Sequence, residues 1–129
     1  MENLSNGKFK NITHEQRPTY AGIHLIVDFW GTKIIEDSTK IKNILIETAR
    51  RSKNTPLGIK IHKFPPKGIT GFILLAESHI SIHTWPEIDY IAIDIFSCGA
   101  KSEPRKGLEY LKKIFQPKKI RIREIKRGI

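Results

Sequence analysis

From position 22 the chain reads GIHLIVDFW, with Ile23, Leu25, Val27 and Phe29 recurring at every second residue. A period of two places alternate side chains on one face, so this segment predicts a first β-strand. Asp37 or Ser38 then offers a helix cap, and Ile41, Ile44, Leu45, Thr48 and Ala49 recur at the spacings of a buried helical stripe. That helix is expected to stop near Lys53 and Asn54, ahead of Pro56. Two strand-like runs follow, LGIKIHKF and ITGFILLAE, divided by Pro65-Pro66-Lys67-Gly68. Two prolines and a glycine favour a tight turn, so these runs predict an antiparallel hairpin. The run YIAIDIFS predicts another strand. Glu103 and Pro104 then lead into an amphipathic segment with Leu108, Leu111 and Phe115, a second helix with proline in its first turn. A basic alternating segment, Lys119-Ile120-Arg121-Ile122-Arg123, closes the chain as a strand with one wet face.

Two amphipathic helices cannot cover both faces of so many strands. The expected fold is therefore α+β: a two-layer sandwich, a mostly antiparallel sheet with two helices on one face, ordered as a βαββ unit plus a βαβ pseudo-repeat. The second face of the sheet needs another cover, and a partner subunit supplies one. Residues 1–18 are polar and aperiodic and end at Pro18, so they read as a mobile tail ahead of a single domain at 19–129.

Length supports one domain with a real core. No apolar run approaches the ~20 residues that cross a bilayer, and MENLSNGKFK lacks the apolar segment of a secretory leader. A single cysteine, Cys98, excludes an internal disulfide and fits a cytoplasmic location. The net charge of +10 is concentrated near the C-terminus. Such a surplus suits a nucleic-acid-binding domain, but here the cations alternate with apolar residues and no stacking aromatics join them, which favours a solvated strand face.

The chemistry concentrates in residues 76–86, AESHISIHTWP. A strand built only to pack would not carry two serines, two histidines and a tryptophan. His79 and His83 are four apart, which suits zinc on a helix; on an extended chain they are separated by about 13 Å, beyond the reach of one ion. No second cysteine or HExxH motif completes a site, so no metal is expected. Ser78 lacks the flanking glycines and following helix of a hydrolase nucleophile elbow. A polar strand face on which these groups satisfy one another remains the alternative.

The block ESHISIHTWPE followed by AIDIFSCG resembles the signature of the small prokaryotic S-adenosylmethionine decarboxylases, pyruvoyl-dependent enzymes of polyamine synthesis. A looser similarity runs from GIHLIVDF through HKFPPKGITGFILLAES to LEYLKKIF. The resemblance implies an inactive proenzyme that cuts itself between Glu77 and Ser78, giving chains 1–77 and 78–129. Ser78 then becomes a covalently derived pyruvoyl group, the cofactor, on which the substrate amine forms a Schiff base. The resemblance assigns His83 as proton acceptor in processing and Cys98 as proton donor in catalysis. Thr70 stands where the family often has a serine that assists processing. Phe64, Trp85 and Glu87 match substrate-binding positions, and family members pair as homodimers whose subunits share each active site.

An offset of five puts Ser78 and His83 on opposite faces of an ideal strand, which predicts a bend or bulge between them, or a first residue freed to turn after cleavage. The chain also departs from the family pattern at Ile88 and Asp89, where an aromatic residue and a glycine are common. An added carboxylate near the pocket suits a cationic substrate, so a pyruvoyl-dependent arginine or ornithine decarboxylase is the alternative to S-adenosylmethionine, and a non-enzymatic nucleic-acid-binding domain is the further one.

Overall fold

The structure is a computed structural model that describes residues 20–128. The expected tail at 1–18 lies outside the described residues. The elements are β1 (Gly22–Trp30), α1 (Ser38–Arg51), β2 (Pro56–Lys63), β3 (Ile69–Leu75), β4 (Ser78–Trp85), a short 3-10 turn (Pro86–Ile88), β5 (Tyr90–Cys98), α2 (Pro104–Phe115) and β6 (Lys119–Arg127). All six strands form one antiparallel sheet in the order β2-β3-β4-β5-β1-β6. This is the expected α+β architecture, although the stretch carrying Ser78 adds a full strand, so the second half reads ββαβ.

Local signals set the element ends. The Asp37 carboxylate caps α1 by accepting from the backbone N–H groups of Thr39 and Lys40, satisfying donors that the first helical turn leaves open. Pro104 begins α2, where a missing N–H costs nothing. The β2–β3 hairpin closes through Phe64 N–H to Gly68 O at 2.8 Å.

Strand alternation divides the sheet into two unlike faces. Leu25, Val27 and Phe29 of β1, Ile80 and Ile82 of β4, and Ile91, Ile93 and Ile95 of β5 are all buried, and they meet Ile41, Leu45, Leu108, Leu111 and Phe115 of the helices in one core. Burying each such side chain stabilises the fold by about 1.5–3 kcal/mol. Gly107 lets α2 approach α1: a Cβ there would lie 3.0 Å from Thr48 O and 2.1 Å from Ser52 Oγ. Among the described residues, no helix covers the opposite face. Phe72, Leu74, Trp85 and Ile125 are exposed on it, beside His24, His79, His83, Asp28 and Asp94.

Candidate active site

Glu77 and Ser78 sit at the start of β4, where β3 reverses through the two-residue turn Ala76-Glu77 and Leu75 pairs with Ser78. The turn strains its last residue, since Ser78 has φ +147°, a conformation that residues with a side chain rarely adopt. Such strain costs of order 1–3 kcal/mol and persists only where the surroundings impose it.

Those surroundings come from β5. Ser78 pairs with Ser97, which brings the next residue, Cys98, against the Glu77 peptide. The Cys98 N–H and its Sγ both donate to the Glu77 carbonyl oxygen, each at 3.0 Å. Two donors on the carbonyl before a strained serine form a cradle for negative charge on that oxygen. The Ser78 hydroxyl lies 3.4 Å from His79 Nδ1, at the outer limit of a hydrogen bond. A small cavity of about 110 Å³ opens beside Cys98, bounded by Gly22, Ser97, Gly99 and Ser102.

His83 occupies the other end of the same strand. Its Nδ1 lies 3.0 Å from Thr70 Oγ1, its directly paired neighbour on β3. Thr70 and His83 line a cleft of about 280 Å³ with Phe64, Trp85 and Glu87. Five of the sequence-predicted residues thus converge at one end of the sheet, whereas Glu77, Ser78 and Cys98 converge at the other. Five residues of extended chain separate Ser78 from His83 by about 16 Å. The expected bend or bulge is not there: β4 pairs with both neighbours without a shift of register. The irregularity falls instead on Ser78 itself, because the tight turn concentrates its strain at the strand's first residue.

The open face between these two clusters is polar and aromatic. His24 Nε2 lies 2.9 Å from Asp94 Oδ1, and Ser81 donates to the same carboxylate. The His79 ring stacks on Phe72 and meets Phe96 edge-on. Burial holds the His79 pKa below its ordinary value, aided by His24 and Arg127 and opposed by Asp94. Near the cleft, the rings of Trp85, Tyr90 and Trp30 form a ladder with centroid spacings of 5.4 and 5.7 Å. The Tyr90 hydroxyl donates to Asp28, and burial together with that carboxylate pushes its pKa up to about 12.

Three cations of β6 are engaged with this surface: Arg121 pairs with Asp28 at 3.1 Å, while Lys119 lies over Trp30 and Arg127 over Phe96. On the helix side, Arg105 of α2 pairs with Glu124 of β6 at 2.9 Å. This engagement matches a strand face built for folding. Asp89 plays a backbone part: it occupies the left-handed region at φ +50° and its carbonyl accepts from Thr32 N–H. Aspartate is among the few residues that tolerate the conformation a glycine would take there. It is not among the residues lining the cleft, although Glu87, two residues before it, is.

A sequence model of the S-adenosylmethionine decarboxylase family matches residues 23–128. The chain belongs to the S-adenosylmethionine decarboxylase family. Within that family it is 41% identical over 110 residues to the S-adenosylmethionine decarboxylase proenzyme of Methanococcus maripaludis strain C7, covering 84% of this chain and 90% of the relative. The proenzyme of Pyrococcus abyssi is 42% identical over 110 residues, covering 84% and 79%. The fold of this chain matches the crystal structure of the adenosylmethionine decarboxylase from Aquifex aeolicus with a TM-score of 0.79 at 32% identity, covering 87% of this chain and 94% of that one.

Sequence reasoning missed Thr55 and Asn54 as parts of the site. Thr55 binds the Glu77 carboxylate through N–H at 2.8 Å and Oγ1 at 3.3 Å. Asn54 Oδ1 accepts from Ser97 and Ser102. These contacts span 22 to 48 residues, and no local pattern announces them. His79 entered the sequence reading only as a candidate metal ligand, not as the imidazole beside Ser78.

Proposed function

We propose that this chain is made as an inactive proenzyme, cleaves itself between Glu77 and Ser78, and decarboxylates S-adenosyl-L-methionine to the aminopropyl donor of polyamine synthesis. The observation that carries the reading is the Glu77 carbonyl, held by both donors of Cys98 at 3.0 Å next to a serine strained to φ +147°.

The first step joins Ser78 Oγ to the Glu77 carbonyl carbon, and negative charge develops on the oxygen that Cys98 cradles. The Glu77–Ser78 C–N bond then breaks, the proton of the hydroxyl passes to the Ser78 nitrogen, and an ester remains. Release of the φ strain at Ser78 favours this direction. A base next removes the Ser78 α-proton, the ester C–O bond breaks, and Glu77 departs as a carboxylate. Water replaces the nitrogen of the resulting dehydroalanine, releasing ammonia and leaving a pyruvoyl group on residues 78–129. A hydroxyl in a strained turn, with donors waiting at its neighbouring carbonyl, fits the formation of that group. Once formed, the pyruvoyl group supplies a ketone conjugated to a carbonyl, an electron sink for the pair left when carbon dioxide departs. Cys98 returns a proton to the substrate α-carbon, the thiol being a ready donor near neutral pH.

The base is His83, oriented by Thr70. Since the two ends of β4 are about 16 Å apart, His83 serves the Ser78 of another subunit. We assign the helix-free sheet face, with its exposed Phe72, Leu74 and Trp85, as the homodimer interface that brings the partner subunit's His83 to Ser78. The cleft of Phe64, Trp85 and Glu87 binds S-adenosylmethionine, its aromatic faces suiting both a purine and a sulfonium cation. At about 280 Å³ it falls just below the usual range of small-molecule sites, as befits half of a shared one.

The intact mass of the purified protein under denaturing conditions tests the cleavage. Two chains are expected, residues 1–77 and residues 78–129, the second lighter by one ammonia than a serine-started chain. A single whole chain would remove the basis of the reading. Carbon dioxide release is expected from S-adenosylmethionine; release from arginine or ornithine alone would replace the substrate.

A further inference from the structure

Three separate contacts tie the cleavage turn to one residue outside it. Thr55, between α1 and β2, donates its N–H to Glu77 Oε1 at 2.8 Å and its Oγ1 to Glu77 Oε2 at 3.3 Å. Its carbonyl accepts from Ala76 N–H at 2.9 Å. Both residues of the turn are therefore fastened to Thr55, and the Glu77 side chain is buried in the process.

The segment that carries Thr55 is itself fixed. The preceding residue, Asn54, is buried, bonds to Ala49 O through its N–H, and accepts from Ser97 and Ser102 through its side chain. Ser97 is the strand partner of Ser78 and the neighbour of Cys98. Residues 54 and 55 thus grip the two sides of the scissile bond. Asn54 holds the strand whose Cys98 binds the Glu77 carbonyl, and Thr55 holds the Glu77 carboxylate.

We propose that Thr55 is a positioning residue for self-cleavage, and that glutamate precedes the scissile bond because its carboxylate reaches this clamp. This rests on the self-cleavage proposed above. A two-residue turn anchored only at its carbonyl can rotate the Glu77 peptide plane and relax Ser78 out of its strained conformation. With the side chain and the preceding N–H also held, the carbonyl carbon stays facing the hydroxyl, and the rate advantage of an intramolecular attack depends on that alignment. The clamp also occupies the carboxylate with two donors, which limits its repulsion of the negative charge that develops on the adjoining carbonyl oxygen.

The test follows the cleavage rate of newly made full-length chains in cell-free synthesis, read on denaturing gels. T55V removes the hydroxyl donor and keeps the backbone contacts. It is expected to slow cleavage about ten-fold, the effect of a lost hydrogen bond to a charged group, while T55S restores the rate to within about two-fold. E77A removes the clamped group, so T55V added to E77A should cause no further slowing. In a background that cannot cleave, S78A, T55V should unfold only a few degrees below its parent and stay folded at the assay temperature, which separates positioning from loss of the fold. A T55V chain that keeps pace with the wild type, or that slows E77A by its full factor, would overturn the clamp alone. A wild-type chain that stays whole would overturn the self-cleavage and the clamp with it.

Discussion

His83 and Ser78 lie at opposite ends of one strand, and the proposed sharing of His83 between subunits gives a quantitative complementation experiment. Five residues at about 3.3 Å each place them about 16 Å apart, on opposite faces by strand alternation, against a proton-transfer reach of about 3 Å. The unshifted register of β4 on both sides rules out a local fold-back. The H83A chain alone is therefore expected to cleave about 10²- to 10⁴-fold more slowly than the wild type, the usual contribution of a positioned base. The S78A chain alone cannot cleave at all. Made together with distinguishable tags, the two chains should form a mixed dimer in which the H83A chain supplies Ser78 and Cys98 while the S78A chain supplies His83. If equal amounts pair at random as two-fold dimers, about half of the H83A chains sit in mixed dimers, so about half should be cut. Tag-specific mass spectrometry of the co-purified chains measures that fraction. Rapid cleavage of H83A alone would show that another base serves, with His79 the nearest imidazole to the hydroxyl at 3.4 Å. Mixed dimers in which H83A stays whole would refute the shared-site geometry.

Other consequences are open to simpler measurements. Phe64 lies on the cleft rim and contacts His62 edge-on at 4.5 Å, away from the cleavage turn. F64A should leave cleavage intact and raise KM for S-adenosylmethionine about ten-fold or more, the cost of losing an aromatic platform under a base; an unchanged KM would remove Phe64 from the site. Because the folded state holds the His79 pKa below its ordinary value, the unfolded chain binds the extra proton as pH falls below about 6.5. Stability is then complete above that pH and declines below it, and urea unfolding of H79Q in the S78A background should show a shallower decline between pH 7 and 5. Adding a methyl at Gly107 brings it to 3.0 Å from Thr48 O. G107A should cost about 1–3 kcal/mol in unfolding free energy by overpacking the helix contact, and a stability equal to wild type would show that the helices can part there.

Much of this architecture was legible along the chain. The period-two pattern in β1 and β5, the Asp37 cap and the Pro-Pro-Lys-Gly turn are local, because their causes lie within a few residues of one another. The motif around Ser78 and Cys98 likewise carried the family, since the order and spacing of residue types persist without reference to shape. The separation into two clusters was only half visible: alternation put Ser78 and His83 on opposite faces, and of the two expected remedies, a bulge or a first residue freed by cleavage, the strand pairing excludes the bulge.

Cross-strand register decided the remainder. Ser78 against Ser97 brings both Cys98 donors to the Glu77 carbonyl, and the end of α1 delivers Thr55 to the Glu77 carboxylate. Neither arrangement can be read from a linear pattern, since a shift of one residue in pairing would turn every side chain to the opposite face while leaving the sequence unchanged. The amino-acid sequence by itself thus determined the elements, the reactive residue types and the family. Which of those residues meet was settled by packing between segments far apart in the chain, where the core registers the strands and the strands register the chemistry.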